Sequence, residues 1–561
     1  MRINPINCFI PKARVKNVHS TVNVGYTTPL KYDSVSFTGS SVIARSAKVP
    51  FETAKFVANS LSTSTSGHRA PYLSEKFTKD IVKLITLGVA GYATAEALKE
   101  NRRPTVLIGG DTRVATRESL PLIKDTLLKQ NIDVINIEDP VPTPLLAMTA
   151  QKYNVDLAVL MTASHNPWND GGYNLVTKAG AIAPAEVTQE VAKHIERIAK
   201  VGSYSENREP QGKLTEIYPY ELYKEQLNSE GLIDWKNIKD AKVKVLYDGL
   251  KGTGNYIMPQ LMKDYGIKLK QVKSSGQEGP NPIDKNLGRL KDAILKDKNE
   301  LKVGLSNDGD ADRFGVVDEN GNFINANDVI LLVGYHLAKN KGRQGATIRS
   351  QATSMQLDRL ADIYGLDKYE TPVGFKYIGE DIIKLRNEGK DILVAGEESG
   401  GLTVNGHIPE KDGIVALSLI LDLVATERKP LSQILKNVKE ELGVSFAINN
   451  YSKRMTDDES KNALMAKVED MYKRVLNGDT AFGEYQIDAE KTAQLRKNME
   501  QYRKGGDGYK FILTDGSSVL VRKSGTEPLV KFYIEATGKN TEDAKNNSEE
   551  LKVQLNKTFN I

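Results

Sequence analysis

The feature that most constrains the fold is a repeated order of buried strand, polar loop and helical stretch. Short apolar runs end directly in polar loops at Arg103–Gly109, Val155–Met161, Ala241–Tyr247 and Asp391–Ala395. Strands that alternate with helices form α/β domains, and loops at the carboxyl ends of such strands carry function. The order therefore predicts successive α/β domains with functional residues at the strand ends.

The last part of the chain has a different pattern. A helical stretch from about 457 to 476 precedes three strand-like runs, at 509–513, 518–522 and 529–536. Strands that follow one another with little helix between them indicate an antiparallel sheet, so an α+β domain is predicted there. A length of 561 residues corresponds to roughly three to five domains in all.

Composition argues against several classes of function. Lys and Arg number 77 against 72 Asp and Glu, and no long basic block occurs outside the N-terminus, so nucleic-acid binding is not indicated. We expect no membrane span, because no apolar run has the length that a bilayer requires. Cys8 is the single cysteine, which argues against disulfides, Cys-ligated zinc and thiol catalysis and fits a reducing cytoplasm.

Residues 1–45 differ from the rest of the chain. They are basic and rich in Ser, Thr and Asn, and they contain no hydrophobic segment of the kind found in signal peptides. This composition predicts a disordered tail, although an organellar transit peptide has a similar character.

A cluster of carboxylates stands in Asp308-Gly-Asp-Ala-Asp-Arg313, between two strand-like runs. The side chains of Asp308, Asp310 and Asp312 are expected to converge, and oxygen-only sites of this kind favour Mg²⁺ or Ca²⁺. An EF-hand is a competing interpretation, but Arg313 stands where that loop needs Gly, and an EF-hand has helical flanks. A solvated Asp-rich loop also remains open.

A serine loop, Thr162-Ala-Ser-His-Asn-Pro167, follows one of the predicted strands. A serine hydrolase is one interpretation, but no Gly-x-Ser-x-Gly turn occurs, and a neighbouring base such as His165 rarely reaches the adjacent hydroxyl. A phosphorylated Ser164 beside a divalent cation at the Asp cluster is another. A structural serine in a turn is the third.

A third loop, Arg522-Lys-Ser-Gly-Thr-Glu-Pro528, combines a guanidinium with two hydroxyls and a flexible glycine. Donors at this density suit phosphate oxygens, with Arg522 supplying bidentate bonds and Ser524, Gly525 and Thr526 the remainder. A polar hairpin turn is the alternative. The P-loop pattern is absent, which argues against a nucleotide.

Together these loops resemble those of the α-D-phosphohexomutase family, which includes phosphoglucomutases and phosphomannomutases. A sugar loop, Gly396-Glu-Glu-Ser-Gly-Gly401, completes the set; the motifs stand in the family's order, and the resemblance covers about residues 60–561. It implies three similar α/β domains with mixed sheets plus a C-terminal α+β domain, arranged around a central active-site cleft. We place these domains at 46–205, 206–323, 324–440 and 441–561.

The resemblance also implies an activity. Phosphorylated Ser164 would donate its phosphoryl group to a hexose phosphate and recover the other phosphate from the bisphosphate, so that phosphate moves between C1 and C6. One Mg²⁺ per subunit, held by phosphorylated Ser164 and the three Asp residues, and a sugar 1,6-bisphosphate as activator are expected. The expected partner is a hexose phosphate, without nucleic acid or membrane, and the expected form is a cytoplasmic monomer or homodimer.

Glucose is the expected sugar, because the double Glu followed by Ser is the pattern that we associate with phosphoglucomutases. Mannose phosphate, glucosamine phosphate and a non-catalytic sugar-phosphate-binding relative remain alternatives. A Ca²⁺-binding structural protein would explain the Asp cluster alone.

Individual residues take roles from the same resemblance. Arg69, in Ser66-Gly-His-Arg69, and Arg313 are candidates for the guanidinium near the moving phosphoryl group, although Ala70 stands where Gly is usual. Substrate-binding roles are implied for Lys376, Glu397, Ser399 and Lys531, the last standing where Arg is common.

One position departs from the family pattern. Asn174 stands where a lysine usually serves as the general acid/base, and an amide cannot take up a proton at neutral pH. We expect Lys178 to replace it if the loop bends differently, with His68 or His165 as alternatives.

Overall fold

The structure is a computed structural model that describes residues 51–63, 67–202, 204, 209–275, 279–478, 481–482, 484–500, 508–524 and 528–561. The predicted tail, residues 1–45, lies outside the described residues. In the described part, four main sheets with their helices follow one another along the chain, and a small two-stranded sheet accompanies the last.

The first unit is a six-stranded mixed sheet in the order β1-β5-β4-β2-β3-β6. Its strands are β1 His68–Pro71, β2 Thr105–Gly110, β3 Asp133–Ile137, β4 Leu157–Met161, β5 Asp170–Val176 and β6 Leu214–Ile217. Its helices are α1 Phe51–Thr63, α2 Lys79–Lys99, α3 Val114–Lys129, α4 Thr143–Tyr153 and α5 Ala185–Val201. β4 is buried along its whole length, which explains its continuous apolar sequence, and it leads directly into the Ser164 loop.

In the described part of the chain, α2 is long and apolar enough to cross a bilayer, contrary to our expectation from the sequence. Most of its apolar residues are buried, and it packs against α3 and α5. A core helix of this kind has the same length and composition as a membrane span, so these two properties alone are weak evidence for one.

The second unit has a five-stranded sheet in the order β11-β10-β9-β7-β8. Its strands are β7 Lys244–Asp248, β8 Leu269–Gln271, β9 Lys302–Asn307, β10 Phe314–Val317 and β11 Phe323–Ile324. Its helices are α6 Tyr220–Ser229, α7 Trp235–Ala241, α8 Gly254–Asp264 and α9 Gly288–Lys296, with a 3-10 turn at Asp284–Asn286. The three Asp residues stand on the connection between the antiparallel strands β9 and β10, so the flanks are strands and the EF-hand alternative is excluded.

The third unit has a four-stranded sheet in the order β13-β12-β14-β15. Its strands are β12 Ala346–Ser350, β13 Lys368–Thr371, β14 Ile392–Glu397 and β15 Gly401–Val404. Its helices are α10 Ala326–Tyr335, which continues into a π-helical turn at His336–Asn340, α11 Gln356–Tyr364, α12 Phe375–Asn387, α13 Gly413–Glu427 and α14 Leu431–Leu442. The sugar loop connects the antiparallel strands β14 and β15.

The fourth unit is built on an antiparallel sheet in which β22 Leu529–Gly538 pairs with several neighbours. The other strands of this sheet are β16 Ser445–Ile448, β17 Tyr451–Arg454, β20 Gly508–Ile512 and β21 Ser518–Lys523, and β18 Ala481–Phe482 and β19 Tyr485–Gln486 form a separate two-stranded sheet. Its helices are α15 Asp458–Leu476, α16 Ala489–Met499 and α17 Thr541–Phe559. Three mixed sheets followed by an antiparallel one confirm the predicted fold class, and the domain boundaries stay predictions.

The hydrophobic cores connect the units unequally. One core runs from α4 of the first unit through α8 and β9 of the second to α10 and α13 of the third. The fourth unit has a separate core between its sheet and the helices α15 and α17. The first three units are therefore tied together by buried apolar contacts, whereas the fourth keeps a separate core and packs Phe446 of β16 against the shared one.

Candidate active site

Ser164 lies just beyond the carboxyl end of β4 and is buried. Its φ of 51° is a left-handed conformation that residues other than glycine rarely adopt. Its Oγ donates a hydrogen bond to Asp308 Oδ2 over 3.0 Å and lies 3.3 Å from His165 Nδ1. Strained backbone of this kind persists where the surroundings enforce it, and here it points the hydroxyl at the Asp cluster.

A buried arginine, Arg113, holds this loop in place. Its guanidinium donates to the carbonyl oxygens of Ser164 over 2.5 Å and of Asn166 over 2.7 Å, and also to that of Pro167. Asp111 compensates the charge at 2.9 Å from Nε. Sequence reasoning assigned no role to Arg113, because its partners are backbone carbonyls, which no side-chain pattern reveals.

The Asp cluster has the form of a cation site. One carboxylate oxygen from each of Asp308, Asp310 and Asp312 lies within 4.8 Å of the others, and all three side chains are buried. Among the described residues, the Oδ1 atoms of Asp310 and Asp312 have no hydrogen-bond partner. Buried carboxylate oxygens are costly unless they are paired or coordinate a metal, so this donor set fits Mg²⁺.

The electrostatics of the cluster lead to the same conclusion. Burial, together with Asp310 and Asp312, raises the pKa of Asp308 well above its ordinary value. Burial and the charge of Asp312 raise the pKa of Asp310 to about 6. Burial also acts to raise the pKa of Asp312, but Lys411 and Arg313 outweigh it and lower that pKa. A divalent cation would relieve the mutual repulsion that produces the two raised values.

Two guanidinium groups stand beside the serine and the carboxylates. Arg69 lies on β1 and donates from Nη1 to the carbonyl oxygen of Ala163 over 3.4 Å. The backbone N–H of Arg313 donates to Asp308 Oδ1 over 3.1 Å, and its Nε, 3.9 Å from Asp312 Oδ1, has no hydrogen-bond partner in the part of the chain that the structure describes. Arg313 therefore keeps a donor available next to the carboxylate cluster.

The sugar loop is joined to the β9–β10 hairpin, which carries the three Asp residues, by a hydrogen bond from Phe314 N–H to the carbonyl of Gly400, over 3.1 Å. Glu397, at the end of β14, is buried and accepts from Gly374 N–H over 2.8 Å, and the exposed Ser399 donates weakly to it over 3.5 Å. Burial and the charge of Glu398 raise the pKa of Glu397 to about 7. Glu397 therefore takes up a proton more readily than an ordinary glutamate.

Basic side chains surround the region where the third and fourth units meet. A small pocket there is lined by Gln351, Pro372, Tyr377 and Arg522, and Lys376 holds its Nζ 4.8 Å above the Tyr377 ring. Lys531 is paired with Arg522 across β21 and β22, and Ser524 N–H donates to the carbonyl of Leu529 over 2.8 Å. Gly525 and Thr526, to which the sequence assigns phosphate binding, lie outside the described residues.

The structure does not bring Lys178 to this site, so we withdraw it as the general acid/base. Its side chain is about half exposed, and Nζ lies 3.6 Å from Glu100 at the end of α2. β5 runs antiparallel to β4 and places Val176 opposite Ala158, near the start of β4, whereas Ser164 follows its end. β5 stays paired with β4 as far as Val176, whereas the prediction required this segment to bend toward Ser164.

His68, an alternative general acid/base in that prediction, and Asn174, which stands where a lysine is usual, both have structural contacts. His68 is bonded to Ser60 Oγ over 2.9 Å and to the carbonyl of Lys76 over 2.6 Å, and it stacks on Phe77. The Nδ2 of Asn174 donates to the carbonyl of Thr162 over 2.7 Å. Asn174 thus holds the start of the serine loop. This contact gives the asparagine a structural role that does not involve proton transfer.

His165 remains beside the hydroxyl, in a neutral form. Burial, with Arg313 and Arg69 nearby, lowers the pKa of His165 to about 3. Because Ser164 donates its proton to Asp308, a neutral imidazole that carries its proton on Nδ1 can donate to Ser164 Oγ.

Lys411 is a functional candidate that sequence reasoning missed. It lies between β15 and α13, with Nζ 3.0 Å from Asp312 Oδ2 and 2.7 Å from Glu410 Oε1. Burial would lower its pKa, but Asp312 and Glu410 outweigh this and raise it. The signal in the sequence is Glu410-Lys411-Asp412, a charged cluster directly before the apolar helix α13.

Comparison with known proteins accounts for this arrangement. The chain matches the phosphoglucomutase/phosphomannomutase models for alpha/beta/alpha domain I over residues 60–202, domain II over 221–321 and domain III over 325–442, and for the C-terminal domain over 484–550. The chain belongs to the phosphoglucomutase/phosphomannomutase family. This family is that of the α-D-phosphohexomutases, so the resemblance seen in the sequence is confirmed, and the protein is an isomerase of the intramolecular phosphotransferase class.

Individual relatives of this phosphohexomutase carry different substrate names. A phosphoglucomutase/phosphomannomutase of Thermococcus kodakarensis is 27% identical over 460 residues, which is 81% of this chain and 90% of the relative. A phosphoglucosamine mutase of Clostridioides difficile is 26% identical over 443 residues, 78% of this chain and 87% of the relative. The pp63/parafusin structure from Paramecium has the same fold, with a TM-score of 0.73 at 21% identity over 92% of this chain and 96% of that one.

Proposed function

We propose that this phosphohexomutase interconverts glucose 1-phosphate and glucose 6-phosphate through phosphorylated Ser164 and a bisphosphorylated sugar, with Mg²⁺ at the Asp cluster. The observation that carries the proposal is the 3.0 Å bond from Ser164 Oγ to Asp308, beside two carboxylate oxygens without partners. A phosphate on this hydroxyl would add negative charge beside the three carboxylates. A bound cation would offset that charge. Mg²⁺, when bound, supplies charge stabilisation to the moving phosphoryl group.

The side chains of the site divide the remaining work. Arg69 and Arg313 flank the serine and can donate to phosphoryl oxygens as charge builds up during transfer. Lys411 holds a proton next to Asp312, which makes it our candidate for the general acid at the sugar oxygen. In the opposite direction of transfer the attacking hydroxyl needs a base, and Lys411 can serve as one only after its ammonium group has released a proton.

We assign recognition of the sugar phosphate to residues of the third and fourth units. Glu397 and Ser399 have the chemistry to bond neighbouring sugar hydroxyls. Lys376, Arg522, Ser524 and Lys531 lie near the boundary of these units, where positive charge suits the phosphate that is not being transferred. The Glu397-Glu398-Ser399 sequence favours glucose. Because the relatives are named for different sugars, the preferred sugar must be measured.

The test compares kcat/KM on glucose 1-phosphate, mannose 1-phosphate and glucosamine 1-phosphate, each with its 1,6-bisphosphate. We expect the highest value for glucose 1-phosphate. A higher value for either other sugar would contradict the glucose proposal and leave the mutase assignment intact.

Phosphopeptide analysis after treatment with the bisphosphate tests the covalent step. We expect one phosphoryl group on the Ser164 peptide and none in Ser164→Ala. Ser418→Ala is the matched control, because this buried serine bonds the carbonyl of Ile414 within α13 and should leave the labelling unchanged. Absence of label in the wild-type protein would favour a non-catalytic binding protein or a structural Ca²⁺ site. Cytoplasmic location and oligomeric state stay predictions.

A further inference from the structure

Thr143 belongs to none of the loops discussed so far, yet it binds Asp310 twice. It is the first residue of α4 in the first unit and is 1% exposed. Its N–H donates to the carbonyl oxygen of Asp310 over 2.9 Å, and its hydroxyl donates to Asp310 Oδ2 over 2.8 Å. One residue of the first unit therefore fixes both the backbone and the side chain of an Asp in the second.

A second hydroxyl near Asp310 has another acceptor. Thr162 Oγ1 lies 3.1 Å from Asp310 Oδ2 but 2.7 Å from Asp111 Oδ2, and a hydroxyl has one proton to donate. The shorter contact assigns that proton to Asp111. Thr143 is then the hydroxyl committed to Asp310, and it occupies Oδ2, while Oδ1 has no partner among the residues that the structure describes.

We propose that Thr143 is a positioning residue for the metal site, through which the first unit sets the cation affinity of a hairpin in the second. This inference rests on the Mg²⁺ site of the proposed function. By satisfying Oδ2, Thr143 fixes the rotation of the carboxylate and directs Oδ1 toward the other two Asp residues. Loss of a group that orients a metal ligand typically weakens binding by about 10- to 100-fold.

A purely structural role at the start of α4 is the competing explanation, and the same helix offers a control. Thr149 is equally buried, and its hydroxyl donates to the carbonyl of Leu145 over 2.6 Å. Thr149→Val removes a buried hydroxyl from α4 without changing any contact to Asp310. Thr143→Val removes the donor and keeps the shape, whereas Thr143→Ser keeps the donor.

The experiment measures the Kd of Mn²⁺ on the full chain by titration calorimetry, with Mg²⁺ as competitor. We expect Thr143→Val to raise the Kd by about 10-fold or more, and Thr143→Ser and Thr149→Val to stay within about threefold of wild type. The metal-induced rise in Tm, taken within each variant, should shrink for Thr143→Val alone. This comparison corrects for any loss of basal stability.

Two results would overturn the inference by itself: wild-type affinity in Thr143→Val, or an equal loss of affinity in Thr149→Val. Failure of the wild-type chain to bind Mn²⁺ would remove the proposed metal site together with this inference. The two kinds of failure are therefore distinguishable.

Discussion

The two ends of the candidate active site are built differently. At the end formed by Ser164 and the Asp cluster, Ser164 and Asp310 are buried, and hydrogen bonds of 2.8 to 3.0 Å join residues of the first and second units. At the end proposed to bind the substrate, Lys376, Arg522 and Lys531 are only partly buried. We therefore expect the first end to be rigid and the second to be adaptable.

The cores of the molecule follow the same division. The first three units share one hydrophobic core, whereas the fourth has its own and meets the third through Lys510, whose Nζ lies 2.5 Å from Glu370 and 3.0 Å from the carbonyl of Gln351. Phosphoryl transfer depends on positioning and preformed charge stabilisation, which favours rigidity at the serine. In the proposed reaction the bisphosphate must bind in two orientations. This requirement favours adaptable basic side chains at the other end.

The largest effect should come from Lys411→Met at the rigid end. We expect kcat to fall by about 10²- to 10⁴-fold with a smaller change in KM, because a general acid/base group is lost. A coupled assay from glucose 1-phosphate measures both constants. Lys178→Met is the control and should keep wild-type rates, since Lys178 lies on the surface beside Glu100. A kcat for Lys411→Met close to that of wild type would remove Lys411 from catalysis.

Arg113→Met should come next. Without the guanidinium, Asp111 is left buried and unpaired, which costs about 3–5 kcal/mol in the free energy of unfolding, and the serine loop loses its fixed conformation. Denaturant unfolding and kcat are both measured. Arg102→Met removes the partner of a buried Asp156 at the opposite end of the sheet, so it should lower stability alone. An unchanged kcat in folded Arg113→Met would contradict a role in positioning Ser164.

A smaller effect is expected at the adaptable end. Arg522→Ala should raise KM for the sugar phosphate by about 10-fold and change kcat little, because a charge-assisted bond to phosphate is lost in a partly solvated place. Steady-state kinetics separate the two constants. Lys523→Ala, at the exposed neighbouring position, is the matched control and should behave as wild type. A fall in kcat alone would place Arg522 at the reacting phosphate instead.

The smallest effect concerns pH. Burial and the neighbouring carboxylates raise the folded-state pKa of Asp310 to about 6 and that of Asp308 well above its ordinary value, so the folded metal-free protein binds protons that the unfolded chain releases. Stability of the metal-free protein should therefore fall as pH rises through about 4 to 6 and beyond, and Mg²⁺ should offset this. Scanning calorimetry should show a larger Mg²⁺-induced rise in Tm at pH 7.5 than at pH 5. Equal rises would mean that the cluster does not control metal binding.

Local patterns predicted the fold class and the separate loops well. The alternate carboxylates of Asp308, Asp310 and Asp312 lie between two strands whose pairing the structure shows. Family resemblance was needed to join that hairpin to Ser164, because the two are 144 residues apart in the chain. The error at Lys178 came from assuming a bend, whereas β5 continues as a strand and carries the side chain away from the serine at about 3.3 Å per residue.

The sequence by itself determined the strands that lead into the functional loops and the chemical groups that each loop contains, because periodicity and loop composition are local properties. Tertiary structure alone placed Lys411, Arg113 and Thr143 against the serine loop and the Asp cluster. Thr143 and Asp310 are 167 residues apart, and Arg113 binds backbone carbonyls, so neither contact leaves a pattern in the chain. Such contacts arise only when separate units pack, since packing brings distant donors to buried acceptors that must be satisfied.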